Sequence, residues 1–256
     1  MARIARRAAA TGLLLLVAGC AATEPGGHFD PAAWGAALRG QLDRPDQLAI
    51  ELGLLTATAV AAPFDHQLQQ DLNEDQSFTH GSTTNGDGVA VGLGVLAVGT
   101  GIGEWIGGDG GHATEVLLES FILTDGLTEL LKHTVRRDRP GGDGNDSFPS
   151  GHTSFAFSMA TFLQRRIADC NDGWIADLSY LAYAPAAYVG IDRMEANRHW
   201  PTDVAFGAFL GVLCTNVVYD AHYGTAEHPG LFGVHGLSVE PVLDPDRTEI
   251  SLVLRF

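Results

Sequence analysis

From residue 47 to residue 220 apolar side chains return at intervals of three and four, interrupted by short clusters of Gly, Pro, Asn and Asp. That spacing draws one apolar stripe along a helix and predicts six helices, over about 47–62, 88–106, 112–135, 151–168, 174–191 and 201–220. Asn85-Gly86-Asp87-Gly88 and Gly107-Gly108-Asp109-Gly110-Gly111 read as loops between them. The longest uncharged stretches, Gly88 to Gly103 and Val204 to Tyr219, hold 16 residues each. That is about 24 Å of helix against a hydrocarbon core of roughly 30 Å. The helix from 112 carries Glu115, Glu119, Asp125 and Glu129. A soluble helical body with buried apolar runs is therefore expected, with a transmembrane bundle as the alternative.

Past Tyr223 the period changes to two. Leu237 to Leu243 and Glu249 to Phe256 alternate around Asp244-Pro245-Asp246-Arg247, which predicts a terminal β-hairpin packed on the body. At the other end Arg3, Arg6 and Arg7 precede an apolar run from Leu13 to Ala18 and then Gly19-Cys20, the layout of an export signal. Val17-Ala18-Gly19-Cys20 resembles the bacterial lipobox, which implies lipidation at Cys20. Ala21 after it resembles outer-membrane sorting, so an exported, membrane-anchored lipoprotein facing the periplasm is expected. Four regions result: a signal peptide at 1–19, a tether at 20–46, a helical domain at 47–223 and a hairpin extension at 224–256.

Without residues 1–19 the chain has 12 basic and 31 acidic residues, a balance that excludes a nucleic-acid binder. Six of those basic residues fall in two short stretches, Lys132 to Arg139 and Arg193 to Arg198, and Lys132 is the sole lysine. A local positive site in a negative shell fits an anionic substrate. An exported compartment would permit a Cys170–Cys214 disulfide, although Cys214 in its apolar segment reads equally as a small buried hydrophobe.

Lys132 and Arg139, seven apart, would share one face of a continuous helix, but Pro140 ends helical geometry just before Arg139. Lysine offers a point charge and arginine a planar fork for phosphate oxygens. Pro149-Ser150-Gly151-His152 opens the next helix, whose free N–H groups attract anions, with Ser150 able to donate its hydroxyl; an ordinary N-cap is the plain alternative. His199 and Asp203, four apart, could place a carboxylate on one ring nitrogen and leave the other as a nucleophile, although Asp203 could also only offset a helix dipole. His133, Arg136, Arg137 and Arg198 read as solvated, His66 and His112-x2-Glu115 as surface residues and weak metal candidates, and Trp200 as a packing anchor.

Taken together, Lys132-x6-Arg139-Pro140, Pro149-Ser150-Gly151-His152 and Arg193-x5-His199-x3-Asp203 resemble the three-part signature of the type 2 phosphatidic acid phosphatase superfamily. That family includes lipid phosphatases, class A acid phosphatases and vanadium haloperoxidases. The resemblance implies an all-α helical bundle, with the hairpin lying outside it. It also implies a phosphatase of phosphate monoesters, lipid phosphates or pyrophosphates that needs no metal or cofactor. Lys132, Arg139, Ser150, Gly151 and Arg193 would bind the phosphoryl group. His199 would attack phosphorus, Asp203 would orient it, and His152 would protonate the leaving oxygen. Vanadate would inhibit, or serve as cofactor if the chain were instead a haloperoxidase. Two departures stand out: only eight residues separate Pro140 from Pro149, and Asp192 replaces the serine usual before the second arginine. Expected partners are a phosphate-bearing small molecule or lipid, and the membrane through the N-terminal anchor.

Overall fold

The computed structural model describes residues 31–41, 44–75, 83–171, 173–224, 236–244 and 247–255. The helices are α1 (Pro31–Gly40), α2 (Pro45–Ala61), α3 (Asp65–Asp75), α4 (Thr83–Glu104), α5 (His112–Val135), α6 (Gly151–Asp169), the short α7 (Trp174–Leu178), α8 (Tyr183–Glu195) and α9 (Pro201–Tyr223). The helices expected over 47–62, 112–135, 151–168 and 201–220 are found within three residues at each end. The segment expected as one helix over 174–191 is broken by a 3₁₀ turn at Ser179–Ala182. The signal peptide and Cys20 lie outside the described residues.

α6 and α9 form the centre. Both are almost wholly buried, and they cross where Gly207 and Gly211 stand one turn apart on α9. A Cβ on Gly207 would lie 2.7 Å from the Ser150 carbonyl oxygen, and one on Gly211 would lie 2.3 Å from that of Ser154. A bare Cα at both positions lets the two backbones approach, as small residues four apart do in membrane bundles. Phe162, Val189, Val212, Val218 and Tyr219 fill the space around the crossing.

Glycine has the same use where a loop was expected. Asn85 to Gly88 is helical, the first turn of α4, and a Cβ on Gly86 would collide with the Asp192 carboxylate. This glycine makes room for a neighbour and does not turn the chain. The second glycine cluster does turn: α4 runs into a π-helical turn at Trp105–Asp109, and Gly108, Gly110 and Gly111 have φ of 106°, 70° and 89° before α5 begins.

The expected tether is corrected over its second half. α1 is helical, and just beyond it Gln41 donates to Asp220 at 2.8 Å and Arg44 at 2.6 Å. Arg165 of α6 donates to the same carboxylate at 2.6 Å. Two guanidinium groups and an amide compensate a buried charge that would otherwise cost several kcal/mol to hold away from water, so α1 is fastened to α9. Cys214 is a free, buried thiol, so the Cys170–Cys214 link is not made.

The soluble body is corrected too. Asp46–Glu74, Asn85–Asp109 and Pro201–Tyr223 are long and apolar enough to cross a bilayer. The uncharged runs looked short because they stop at the first charge, whereas the helices continue through Asp87, Glu104 and Asp203. The 22 residues of α4 and 23 of α9 reach about 33 and 35 Å. Val91, Val95, Val98, Ile102 and Ile106 face outward from α4 and its π turn, as do Leu118, Phe121, Ile122 and Leu130 from α5. An outward apolar belt of this extent calls for lipid.

Past α9, β1 (Gly236–Asp244) and β2 (Arg247–Arg255) pair antiparallel, with Gly236 opposite Arg255 and Asp244 opposite Arg247. The packing of this pair on the body, expected from the sequence, concerns side chains outside the described residues.

Candidate active site

Three helix ends meet at one end of the bundle. α5 finishes at Val135, and Arg136 adopts a left-handed conformation (φ 51°) with its N–H donating to the Lys132 carbonyl. Arg139 therefore sits in a loop and shares no helical face with Lys132. The loop is laced back by Ser147 N–H to the Arg137 carbonyl and Gly141 N–H to the Asn197 carbonyl, both at 3.0 Å. A Cβ on Gly151 would lie 3.1 Å from Lys132 Nζ, so the ammonium hangs over the start of α6. Ser150 N–H donates to the Asp203 carbonyl at 3.0 Å, joining the starts of α6 and α9.

His199 is buried, and its Nδ1 lies 2.7 Å from the Ser147 carbonyl oxygen. A carbonyl can only accept, so Nδ1 carries the proton and Nε2 keeps its lone pair. Burial, with the positive charges of Arg139 and Lys132, pushes the ring pKa down to about 3 against the hydrogen bond that His199 donates to the Ser147 carbonyl. The ring is neutral above that pH and presents a free Nε2.

The expected direct hold of Asp203 on His199 is corrected. His199 precedes α9 and Asp203 lies in its first turn, so the two do not stack along a helix. Asp203 takes donors from the Trp200 N–H at 2.9 Å, the Ser147 hydroxyl at 2.5 Å and Arg137 at 2.6 Å. It fixes Ser147, whose carbonyl fixes His199. Arg137 also binds Asp65 at 2.6 Å and Thr202 at 2.6 Å, and Asp65 accepts from the Thr202 N–H and hydroxyl. Arg137 is thus a strut and not a solvated residue. Trp200 is the anchor expected, donating its indole N–H to the Asp138 carbonyl at 2.8 Å beside the His66 ring.

Each cation of the site is paired. Lys132 binds Glu129 at 3.0 Å, Arg139 binds Asp146 at 2.8 Å, and Arg193 binds Asp87 at 3.0 Å and Asp192 at 2.5 Å. Glu129, Asp146 and Asp87 are about half exposed, so their pairs are worth little in water and yield readily to a more highly charged anion. Asp192 is fully buried, and its other oxygen accepts the Gly86 N–H at 3.2 Å. It locks Arg193 in place, so the departure from serine gives a permanent clamp. Burial alone would raise the Asp146 carboxyl; Arg139 outweighs that and holds it below the usual range. The Ser150 hydroxyl is buried and engaged with Thr153 at 2.8 Å.

His152 is half exposed, with Nε2 3.2 Å from Asp87. Burial and the Arg193 charge pull its pKa below the ordinary value, while Asp87 pulls the other way. From here a groove of about 1000 Å³ runs between α4 and α5, with Lys132, Gly151 and His152 at its head and Val91, Val95, Val98 and Ile102 along its wall. The charges of Arg193 and Lys132 act on His152, those of Arg139, Lys132 and His152 act on His199, and Gly151 lies under Lys132, so the structure brings these six together. Asp87, Ser147, Arg137 and Asp65 were missed. Arg137 stands two residues from a signature arginine, a weak signal, and Asp65 carries none.

Residues 115–226 match the model of the PAP2 superfamily. The chain carries a PAP2 superfamily domain. It is 36% identical over 97 residues to a lipid A 1-phosphatase of Porphyromonas gingivalis, covering 38% of this chain and 21% of that protein. It is 32% identical over 111 residues to a probable diacylglycerol pyrophosphate phosphatase of Schizosaccharomyces pombe, covering 40% of each. The chain thus spans less than half the length of these curated relatives. A transmembrane PAP2-type phosphatidylglycerolphosphate phosphatase from Bacillus subtilis shares the fold, with a TM-score of 0.53 and 23% identity over 68% of this chain and 94% of that one. Asp192, inside the matched PAP2 segment, and Asp87, before it, shape the second arginine's surroundings.

Two outcomes follow from the geometry. Arg137→Ala leaves Asp203 buried with one donor fewer, and is expected to lower thermal stability by about 3–5 kcal/mol. It should also cut kcat about 100-fold with KM little changed, as misplacement of a reacting group does. Arg137→Lys, which keeps the charge without the fork, should restore stability further than kcat; equal recovery of both would show a purely structural role. In the acid role that the family resemblance implies, His152 must be protonated, so kcat/KM is expected to fall as pH rises through its lowered pKa. Asp87→Asn removes the attraction favouring the protonated ring and should move that alkaline limb to lower pH; an unmoved limb counts against the assignment.

Proposed function

We propose that the chain is a membrane-embedded lipid phosphate phosphatase that works through a phosphohistidine. The observation that carries this reading is His199, held neutral with Nε2 free inside a ring of three cations, at the head of an apolar groove. The phosphoryl oxygens replace Glu129, Asp146 and Asp87 on Lys132, Arg139 and Arg193. The Gly151 N–H at the start of α6 adds a further donor. Nε2 attacks phosphorus as the P–O bond to the leaving group breaks, and His152 delivers its proton to the departing oxygen. Neutral His152 then takes a proton from water, whose oxygen attacks phosphorus; the N–P bond breaks and inorganic phosphate leaves. Lysine and arginine carry the charge that a metal carries in other phosphoryl-transfer sites, which supports a metal-independent reaction.

The groove supports a lipid substrate. Residues 91, 95, 98 and 102 follow one face of α4 for about 17 Å, enough to take the first dozen or so carbons of an acyl or prenyl chain. The relatives named lipid A 1-phosphatase and diacylglycerol pyrophosphate phosphatase support the same class. The site would face the exported side of the membrane, as the N-terminal arginines and apolar run imply. Lipidation at Cys20 and outer-membrane sorting stay part of this reading, as does the terminal strand pair as an appendage to the catalytic body. With three helices among the described residues able to cross a bilayer, an acyl group would add to membrane attachment and not create it. A diacylglycerol mass increment on the chain, lost in Cys20→Ser, checks lipidation; an unmodified or uncleaved terminus removes it.

The test is phosphate release by the detergent-solubilised full chain, from a long-chain lipid phosphate and from a short soluble monoester. Release without added metal and its inhibition by vanadate are expected, as is a loss above about 1000-fold in His199→Ala. Val95→Trp, which fills the groove, should raise KM for the lipid and leave the soluble ester unaffected. Full turnover by His199→Ala ends the mechanism, and equal effects of Val95→Trp on both substrates end the lipid assignment. Halide oxidation with vanadate and peroxide in place of phosphate release would identify a haloperoxidase instead.

A further inference from the structure

The end of the bundle away from the phosphoryl site holds a second cluster of chemistry-bearing side chains. His112 opens α5 and His222 lies in the last turn of α9, and these two helices run antiparallel so that the rings meet with centroids 5.0 Å apart. The sequence reading of His112 as a surface residue is corrected, since it is 8% exposed and His222 is 3% exposed. Glu115 stands one turn along α5 with a carboxylate oxygen 3.8 Å from His112 Nδ1. Glu119, a turn further, accepts from His222 Nε2 at 3.0 Å.

Among the described residues, His112 Nε2 and His222 Nδ1 are buried without a hydrogen-bond partner. Buried polar nitrogens in a packed bundle normally find a donor or acceptor, and two orphans on facing rings need an explanation. With Nε2 of His222 donating to a carboxylate, Nδ1 is left with its lone pair. A carboxylate behind one ring nitrogen with the other free is the arrangement found behind metal-ligating histidines. His112, Glu115 and His222 can each place a donor atom within 4.8 Å of those of the other two. Ligands about 2.1 Å from a tetrahedral ion lie about 3.4 Å apart, so closing the site takes about an ångström of side-chain movement.

The geometry points to a divalent metal site of the zinc class, with His112, Glu115 and His222 as ligands and Glu119 as the residue that orients His222. Two imidazoles and one carboxylate are the donor set that zinc accepts, with a fourth position for water. Lys132 lies 20 residues along α5 from His112, about 30 Å of helix. The ion is therefore remote from phosphorus. It would tie the start of α5 to the end of α9, a tie that stabilises the folded chain because the unfolded chain offers no such trio.

The test uses tag-free, full-length protein in detergent, stripped with chelator and titrated with Zn²⁺ alone, with Co²⁺ as a spectroscopic probe. One equivalent of Zn²⁺ should bind and raise the melting temperature. Co²⁺ should give the visible absorption of a four- or five-coordinate ion with nitrogen ligands. His112→Gln and Glu115→Gln should each weaken Zn²⁺ binding by more than tenfold, and Glu119→Gln by about 10- to 100-fold. Phosphate release by these variants should match that of the parent. Glu115 is only partly buried, so its variant keeps the test open should His112→Gln not fold. Folded parent protein that takes up no metal, or variants that bind Zn²⁺ as the parent does, would overturn the site and leave a plain histidine–glutamate contact.

Discussion

The carboxylate of Asp203 is the point on which the site depends. It is buried, and it gathers a backbone N–H from Trp200 just before its own helix, a hydroxyl from the loop after α5 and a guanidinium two residues into that loop. A lone carboxylate in such a place would be strongly disfavoured, so the three donors are obligatory partners and not optional contacts. Satisfying them fixes Ser147. With Ser147 fixed, its carbonyl fixes the tautomer and direction of His199. The same Asp203 offers its backbone carbonyl to Ser150, which sets the start of α6 against the start of α9. One residue thus couples the orientation of His199 to the register of the two central helices.

That register is also a packing matter. Gly207 and Gly211 allow a backbone approach that no side chain would permit, so the helix starts that carry Ser150, Gly151 and Asp203 are held by contact along the whole crossing. Around this rigid centre the outer helices turn apolar side chains outward, and α4 with α5 leaves the groove that leads to His152 and Lys132. In the proposed function, a charged head is drawn to the cations while its apolar tail remains in the hydrocarbon layer. The cations are meanwhile paired with half-exposed carboxylates, which keeps them compensated and in place until a stronger anion arrives.

The helices with strong periodicity were legible in the sequence, because burial of one stripe leaves a period that can be counted. So were the cationic residues and both histidines, since their chemistry is unusual in so acidic a chain. Asn85 to Gly88 was not, because a glycine that admits Asp192 and a glycine that turns the chain look alike in one dimension. Arg137 and Asp65 lie 72 residues apart, and nothing local marks either as the other's partner. The membrane character was hidden by counting uncharged residues only: Asp87, Glu104 and Asp203 sit at helix ends and satisfy partners there, so they do not shorten the helices. The expected contact between His199 and Asp203 failed for a related reason, since four residues make one turn only where both belong to the helix.

The central claim is that Ser147 sets which nitrogen of His199 reacts. Rapid acid-free quenching of the parent chain during turnover of a lipid phosphate labelled in its phosphoryl group, followed by peptide mapping, would place the bond. The account predicts label on the peptide containing His199, with phosphorus attached to Nε2. Attachment to Nδ1, or label on Ser147 or Ser150, would contradict it.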